Sequence, residues 1–331
     1  MEKQFKVVRV DKAGSSAVMV KEAEELAKVN AELVGVDCVT EDEIIEATKD
    51  VDAILTSEAD ITRRVMEASP KCKVIVRYGV GVDTVDVNAA TDNGIIVVNM
   101  AGYNSEEVSN HAITLLLACA KRLIFLDKIT KQGRWVTRPL PPMVPIYGQT
   151  LGLVGCGNIG RRTARKAQPF GLKILGYDPY IDKSLASEYG ITLVSLPELI
   201  KESDFISVHA PLSKETQHLI GEKEFKQMKS SAYLINTSRG PVIDEVALIK
   251  ALQEKQIAGA GLDVFEKEPV DTDNPLLKMD NVVVTPHFAG YSDVSYSSRE
   301  IRVGKETARV LSGHWPESVV NKTVKPKVSL V

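Results

Sequence analysis

Short runs of apolar residues alternate with stretches of helical periodicity along most of this chain. Before residue 102 the apolar runs predict five strands, and the stretches between them predict four helices with one apolar face each. The predicted strands are 5–10, 31–36, 53–56, 74–77 and 95–99, and the predicted helices are 17–28, 41–48, 62–68 and 85–93. Because strands that alternate with helices build parallel sheets, this region is predicted to form an α/β unit.

The alternation resumes after residue 150 and predicts a second α/β unit. Its predicted strands are 151–154, 173–177, 191–194, 204–209, 233–237, 259–264 and 282–285, enough for a complete dinucleotide-binding sheet. A long helix, capped by Ser105 and running to about residue 132, is predicted between the two units. Residues 292–311 are predicted to be helical, and we expect this helix to reach back to the first unit. Four prolines within 137–145 predict an irregular segment.

Three glycines follow the strand 151–154 in a spacing typical of dinucleotide binding. Gly155 permits the tight turn, Gly157 lets the backbone approach a pyrophosphate, and Gly160 lets the next helix pack on its strand. Free N–H groups at that helix start can hold phosphates. Asp178 ends the following strand, where a carboxylate accepts hydrogen bonds from an adenosine ribose. Since a carboxylate repels a 2′-phosphate and 178–182 contains no arginine, the sequence predicts NAD rather than NADP.

Composition and charge limit the domain count, partners and location expected of this protein. The 331 residues suggest two domains, and a net charge of −3 gives no reason to expect nucleic acid or an anionic membrane as partner. Cys38, Cys72, Cys119 and Cys156 show no paired spacing, so neither disulfides nor a metal site is predicted. The N-terminus lacks the apolar core of a signal peptide, and the longest apolar run, 112–120, is too short to span a bilayer. We therefore expect a cytoplasmic protein.

Polar residues directly after predicted strands are the candidates for chemistry, because ligands lie beyond the carboxyl ends of strands in doubly wound sheets. Four groups meet this test: 77–83, 236–240, 263–269 and 285–290. In this order around the glycine turn they resemble the D-isomer-specific 2-hydroxyacid dehydrogenase family, over nearly the whole chain. Arg77 resembles the phosphoglycerate dehydrogenase and C-terminal-binding-protein branches of this family, and residues 106–108 look most like the latter.

The resemblance implies an α/β protein of two domains with the active site in the cleft between them. A flavodoxin-like substrate domain would comprise 1–102 plus 293–331, and a Rossmann, doubly wound NAD-binding domain would comprise 103–292. It also implies a homodimer formed largely through the cofactor domain and its long first helix. Because no regulatory domain follows residue 331, we do not expect a feedback-regulated phosphoglycerate dehydrogenase of the long type.

The family's arginine, glutamate and histidine fall on Arg239, Glu268 and His287. An arginine forms a forked pair with a substrate carboxylate, and a histidine exchanges a proton with the oxygen at C2. A glutamate orients that imidazole and stabilises its protonated form, while hydride passes directly between nicotinamide and C2. The implied substrate contacts are Arg77, Tyr78, Gly79, Val80, Gly81, Arg239 and His287, with N–H groups of 79–81 binding the carboxylate.

The resemblance also implies cofactor contacts beyond Gly155, Gly157, Gly160 and Asp178. They are Val108, Asn158, Ile159, Pro179, His209, Ala210, Pro211, Thr216, Thr237, Ser238, Asp263, Ala289 and Gly290. His209 is equally explained as a hydrogen-bonded histidine at a strand end, and Arg77 as the partner of Asp83 or Asp86. His111, His218 and His314 are interpreted as structural or surface residues.

The sequence therefore predicts an NAD-dependent oxidoreductase that interconverts a small-molecule 2-oxo acid and a D-2-hydroxy acid. The alternative is an NADH-sensing interaction protein of the same fold, similar to a corepressor. Intact Arg239, Glu268 and His287 favour catalysis, because a sensor needs the glycine turn but not a tuned acid. The substrate's side chain stays open.

Overall fold

The computed structural model describes residues 5–12, 16–17, 20–135 and 143–331. They divide into two compact units, the first within Met1–Tyr103 and Ser292–Val331 and the second within Asn104–Tyr291. The predicted irregular segment 137–145 lies mostly outside the described residues. No helix in the described ranges combines the length and apolar character needed to cross a bilayer.

Unit 1 is built on a parallel sheet whose strands run in the order β2-β1-β3-β4-β5. This is the strand order of flavodoxin-like folds. The central strands are rich in valine and isoleucine because helices cover both faces of the sheet. The strands are β1 (Phe5–Asp11), β2 (Ala31–Asp37), β3 (Ala53–Thr56), β4 (Val74–Arg77) and β5 (Ile96–Asn99). The helices are α1 (Val20–Ala27), α2 (Glu41–Thr48), α3 (Arg63–Glu67), α4 (Val87–Asp92) and α12 (Asp293–Leu311).

The C-terminal residues complete unit 1. Helix α12 belongs to this unit, as predicted, and packs on α1. Gly304 permits the close approach because a Cβ there would lie 2.8 Å from the carbonyl oxygen of Glu22. Beyond α12, the buried Asn321 side chain accepts a hydrogen bond from the N–H of Val97 (2.9 Å) and donates to the carbonyl of Ile95 (2.9 Å). The segment after α12 is therefore fixed to the edge strand β5.

Unit 2 contains a parallel sheet in the order β8-β7-β6-β9-β10-β11-β12. Strands β6 to β8 are added toward one edge of the sheet and β9 to β12 toward the other, so the strand order switches between β6 and β9, as in Rossmann folds. The predicted fold class is therefore confirmed. The strands are β6 (Thr150–Val154), β7 (Lys173–Tyr177), β8 (Thr192–Leu193), β9 (Phe205–Val208), β10 (Tyr233–Asn236), β11 (Gly259–Leu262) and β12 (Val282–Val284). The helices are α5 (Ser105–Ala120), α6 (Leu123–Lys131), α7 (Asn158–Ala167), α8 (Lys183–Glu188), α9 (Leu196–Glu202), α10 (Glu222–Phe225) and α11 (Glu245–Gln253).

The long helix predicted from Ser105 to about residue 132 is wrong in two respects. Asn104 rather than Ser105 is the N-cap residue, and Ser105 is the buried first residue of α5. The helix also ends at Ala120, because Arg122 adopts a left-handed conformation (φ +51°) before α6 begins. Neither glycine nor proline interrupts the sequence there, so the periodicity gave no sign of the break.

Candidate active site

The glycine turn between β6 and α7 has the geometry of a phosphate-binding site. Gly155 has φ +95°, and a Cβ on it would lie 2.7 Å from the N of Ala210. A Cβ on Gly160 would lie 2.2 Å from the carbonyl oxygen of Gly155, whereas a Cβ on Gly157 would meet nothing within 4 Å. The first N–H groups of α7, after Gly157, have no side-chain cap among the described residues. A dinucleotide pyrophosphate fits this cradle.

Asp178, at the end of β7, is fixed by two backbone groups. Its Oδ2 accepts a hydrogen bond from the N–H of Cys156 (2.8 Å), and its Oδ1 accepts one from the N–H of Tyr180 (2.9 Å). Arg161 donates to the carbonyl of the same Cys156 (3.3 Å) and to Asn158 Oδ1 (2.9 Å). The segment 178–182 contains no arginine, whereas Arg161 of α7 lies at the glycine turn itself.

The other predicted cofactor residues of unit 2 follow the ends of neighbouring strands. His209 Nε2 lies 2.9 Å from Ser207 Oγ, and burial lowers the pKa of His209 to about 4, so this imidazole is neutral near pH 7. Thr237 Oγ1 is buried and has no hydrogen-bond partner among the described residues. The remaining positions border the glycine turn or follow β7, β9, β10 and β12: Asn158, Ile159, Pro179, Ala210, Pro211, Thr216, Ser238, Ala289 and Gly290. Val108 is buried on α5.

Arg239 follows β10 on a turn folded by a buried asparagine. Asn236 Oδ1 accepts hydrogen bonds from the N–H (3.0 Å) and hydroxyl (2.8 Å) of Ser238, while its Nδ2 donates to the carbonyl of Arg239 (2.9 Å). Gly240 then brings this turn against the segment that carries Glu268, because a Cβ on Gly240 would lie only 1.9 Å from the carbonyl carbon of Phe265. The Arg239 and Glu268 loops are therefore in direct backbone contact.

Glu268 and His287 form a hydrogen-bonded pair, with His287 Nδ1 2.7 Å from Glu268 Oε2. Glu268 Oε1 accepts from the N–H of Phe265 (3.0 Å). Burial acts to raise the pKa of the Glu268 carboxyl, but the hydrogen bond and charge of His287, the Phe265 N–H and the charge of Arg239 together lower it. Since Nδ1 is engaged and 46% of the His287 side chain is exposed, Nε2 is the ring nitrogen available for chemistry.

Asp263 holds the loop that carries His287. His287 has φ +56°, a left-handed conformation that costs a residue with a side chain about 1 kcal/mol. The carbonyl of Asp263 accepts from the N–H of His287 (2.7 Å), and its carboxylate accepts from the N–H groups of Phe288 and Ala289 (2.8 Å each). The carboxylate also accepts from Thr285 Oγ1 (2.5 Å). Asp263, predicted only as a cofactor contact, thus also fixes the conformation of this loop.

His111, interpreted from the sequence as structural, joins this group. Its Nε2 lies 2.9 Å from Thr285 Oγ1 and 3.6 Å from Asp263 Oδ1. The two partners are more than 150 residues away in the chain, so no local spacing could have linked them. The one indication in the sequence was that residues 263 and 285 lie at the ends of neighbouring strands, where side chains can meet.

The candidates of unit 1 surround the end of β4. The Arg77 side chain folds over the next turn, so that a Cβ on Gly79 would lie 1.4 Å from Arg77 Nη1. Gly79 is therefore required for this placement of the guanidinium. Val80 is partly exposed and Gly81 continues the loop. The predicted substrate contact of Tyr78 must be corrected. Its side chain is 1% exposed and its hydroxyl bonds Glu22 on α1, so only its backbone can contact a substrate.

The family model for the NAD-binding domain of D-isomer specific 2-hydroxyacid dehydrogenases matches residues 113–289, more than half of the chain. The chain belongs to this family. A glyoxylate reductase of Korarchaeum cryptofilum is 44% identical over 285 residues, which are 85% of this chain and 86% of the relative. A D-3-phosphoglycerate dehydrogenase of Methanocaldococcus jannaschii is 42% identical over 88% of this chain and 56% of its own length.

Among solved structures, a D-lactate dehydrogenase from Aquifex aeolicus complexed with NAD and lactic acid matches with a TM-score of 0.80 and 33% identity. The match covers 93% of this chain and 94% of that one. As a member of this family, the protein is an NAD(P)-dependent dehydrogenase acting between 2-oxo acids and 2-hydroxy acids. No group of three or more potential metal ligands occurs among the residues described.

Proposed function

We propose that this protein is an NADH-dependent reductase that converts a small 2-oxo acid into the D-2-hydroxy acid, with His287 as the general acid. The observation that carries the proposal is the 2.7 Å pair between His287 Nδ1 and Glu268 Oε2. Because the carboxylate engages Nδ1, Nε2 is the ring nitrogen that can pass a proton to the oxygen at C2. Glu268 is then the positioning residue of this pair.

Arg239 is proposed to bind the substrate carboxylate and polarise the neighbouring carbonyl. Its charge acts on Glu268, and the contact of Gly240 with Phe265 keeps its turn beside the Glu268 loop. A planar guanidinium can hold a carboxylate through two parallel hydrogen bonds, which fixes C2 in one orientation. In unit 1, we propose that the N–H groups of residues 79–81 and the Arg77 guanidinium also bind acidic groups of the substrate.

The residues around the glycine turn would hold NAD: the open N–H groups after Gly157 on the pyrophosphate, Asp178 on the adenosine ribose, and Thr237 near the nicotinamide end. When bound, the nicotinamide ring supplies the hydride to C2. We propose NAD over NADP because the Asp178 carboxylate, fixed by two backbone N–H groups, repels a 2′-phosphate.

A homodimer is proposed through unit 2, as the family resemblance implied. Several large apolar side chains of this unit are strongly exposed, including Leu123 (57%) and Ile124 (53%) on α6. Exposed apolar groups close together are typical of protein interfaces. Sedimentation velocity should give the mass of two chains, and a single-chain mass at micromolar concentration would remove this proposal.

The test of the function is a screen of NADH oxidation over 2-oxo acids, with chiral separation of the product. The first compounds to test are glyoxylate, hydroxypyruvate and phosphohydroxypyruvate, because relatives are named glyoxylate reductase and D-3-phosphoglycerate dehydrogenase. Pyruvate serves as the unsubstituted comparison. We expect turnover with at least one of them and a D-configured product where C2 is chiral. NADH binding without turnover on any 2-oxo acid would contradict the proposal and favour the sensing alternative.

A further inference from the structure

A chain of hydrogen bonds runs from α5 to the loop that carries His287, and two of its residues have no part in the proposed chemistry. His111 Nε2 lies 2.9 Å from Thr285 Oγ1, and Thr285 Oγ1 lies 2.5 Å from Asp263 Oδ1. Asp263 is 1% exposed, so water cannot replace these partners freely. The chain therefore connects three elements: the middle of α5 and the ends of β11 and β12.

The direction of these hydrogen bonds is fixed by counting donors. The Asp263 carboxylate already accepts the N–H groups of Phe288 and Ala289, so it acts as an acceptor toward Thr285 as well. A hydroxyl has one hydrogen to donate, and that of Thr285 is used on Asp263. Thr285 must then accept from His111, which places a hydrogen on Nε2 of that imidazole.

Asp263 in turn binds three consecutive backbone N–H groups. Its carbonyl accepts from His287 at 2.7 Å, and its two carboxylate oxygens accept from Phe288 and Ala289 at 2.8 Å each. A rotation of the Asp263 side chain would break the last two bonds together with the bond from Thr285. The left-handed conformation of His287 would then keep only the backbone bonds of its own N–H and lose those of the two residues that follow it.

We propose that His111 and Thr285 are positioning residues for proton transfer: they hold Asp263 in one rotamer, and Asp263 holds the loop that keeps His287 on Glu268. The proposal rests on the proposed function, because it assumes that His287 supplies the proton. The His287 ring is held by Glu268, and the described hydrogen bonds join neither the His111 nor the Thr285 side chain to it. The Thr285 carbonyl accepts from the His287 N–H (3.1 Å), but this backbone bond does not involve the Thr285 hydroxyl. The effect of both side chains therefore passes through Asp263.

Paired substitutions test this proposal in the full-length protein. His111→Ala and Thr285→Val should each lower kcat about 10-fold, as losses of supporting hydrogen bonds around a site can do, with KM for the 2-oxo acid nearly unchanged. His111→Gln keeps an N–H donor at the place of Nε2, and Thr285→Ser keeps the hydroxyl, so both should recover most of kcat. Because both residues act through Asp263, the double variant His111→Ala with Thr285→Val should be no worse than Thr285→Val alone.

Thr114→Val is the matched control, because Thr114 lies on the same helix and, within the described part of the chain, its hydroxyl bonds only the carbonyl of Asn110. This control should keep wild-type kcat. A wild-type kcat in His111→Ala, or a His111→Gln variant as slow as His111→Ala, would overturn the proposal in favour of a packing role. If His111→Ala fails to fold, the comparison of Thr285→Val with Thr285→Ser decides alone. An active His287→Ala would instead refute the proposed function, so the two failures are distinguishable.

Discussion

Replacing Gly240 by alanine tests how the loops of Arg239 and Glu268 are held together. A Cβ on Gly240 would lie 1.9 Å from the carbonyl carbon of Phe265 and 2.4 Å from the N of Glu266. Ordinary contacts begin at 3.4 Å, so one backbone segment must retreat by about 1.5 Å. Gly240 is not left-handed, so the effect of the methyl group is purely steric.

A shift of that size separates Arg239 from Glu268 and His287, and a misplacement of about 1 Å can cost about 100-fold in rate. We expect kcat/KM on the best 2-oxo acid to fall by about two orders of magnitude. Crowding of the backbone should also lower the free energy of unfolding by about 1–3 kcal/mol. Steady-state NADH oxidation and thermal unfolding measure the two effects.

Gly157→Ala is the matched control, because a Cβ there meets nothing within 4 Å. Its thermal stability should match wild type, while its KM for NADH should rise since the methyl group occupies the proposed pyrophosphate approach. A Gly240→Ala protein with wild-type stability and kcat/KM within about threefold of wild type would refute the reasoning, because the loops would then not depend on this contact.

Three further predictions concern single side chains. Arg239→Lys should remain severely impaired in kcat/KM, because a point charge cannot replace the planar fork, and near-normal kinetics would remove Arg239 from the substrate site. Asp178→Ala should weaken the preference for NADH over NADPH in paired kinetics, and an unaltered ratio would assign ribose selection to another residue. His209 is neutral when folded down to its pKa of about 4, whereas an unfolded histidine takes a proton near pH 6.5. The free energy of unfolding should therefore fall by up to about 3 kcal/mol as pH drops from about 6.5 to about 4. In His209→Asn, the free energy of unfolding should depend less on pH over this range. An equal pH dependence in the two proteins would contradict burial of His209 as the cause.

Much of the fold could be predicted because the apolar residues of each strand and helix are the ones buried in the core. Their spacing along the chain therefore indicates whether a segment is a strand or a helix. Strands such as β3 and β4 begin and end at the predicted residues, since each is a short apolar run bounded by polar residues. The break at Arg122 could not be predicted, because its left-handed backbone has no glycine or proline to mark it.

The site was predicted less completely, for a physical reason. Arg239, Glu268 and His287 lie in recognisable motifs after strands, and the structure brings the last two within hydrogen-bonding distance. The inward turn of Tyr78 onto Glu22 depends on a helix more than 50 residues earlier in the chain. The link of His111 to Asp263 likewise depends on tertiary packing rather than on spacing along the sequence.

The central claim is that His287 supplies the proton, and the most direct test compares catalysis with cofactor binding in His287→Ala. Single-turnover reduction of the best 2-oxo acid by bound NADH should slow by at least about 100-fold, the contribution expected of a general acid. The Kd for NADH, measured by fluorescence titration, should stay near the wild-type value, since His287 is not proposed to hold the cofactor. A His287→Ala protein that reduces the substrate at the wild-type rate would contradict the account.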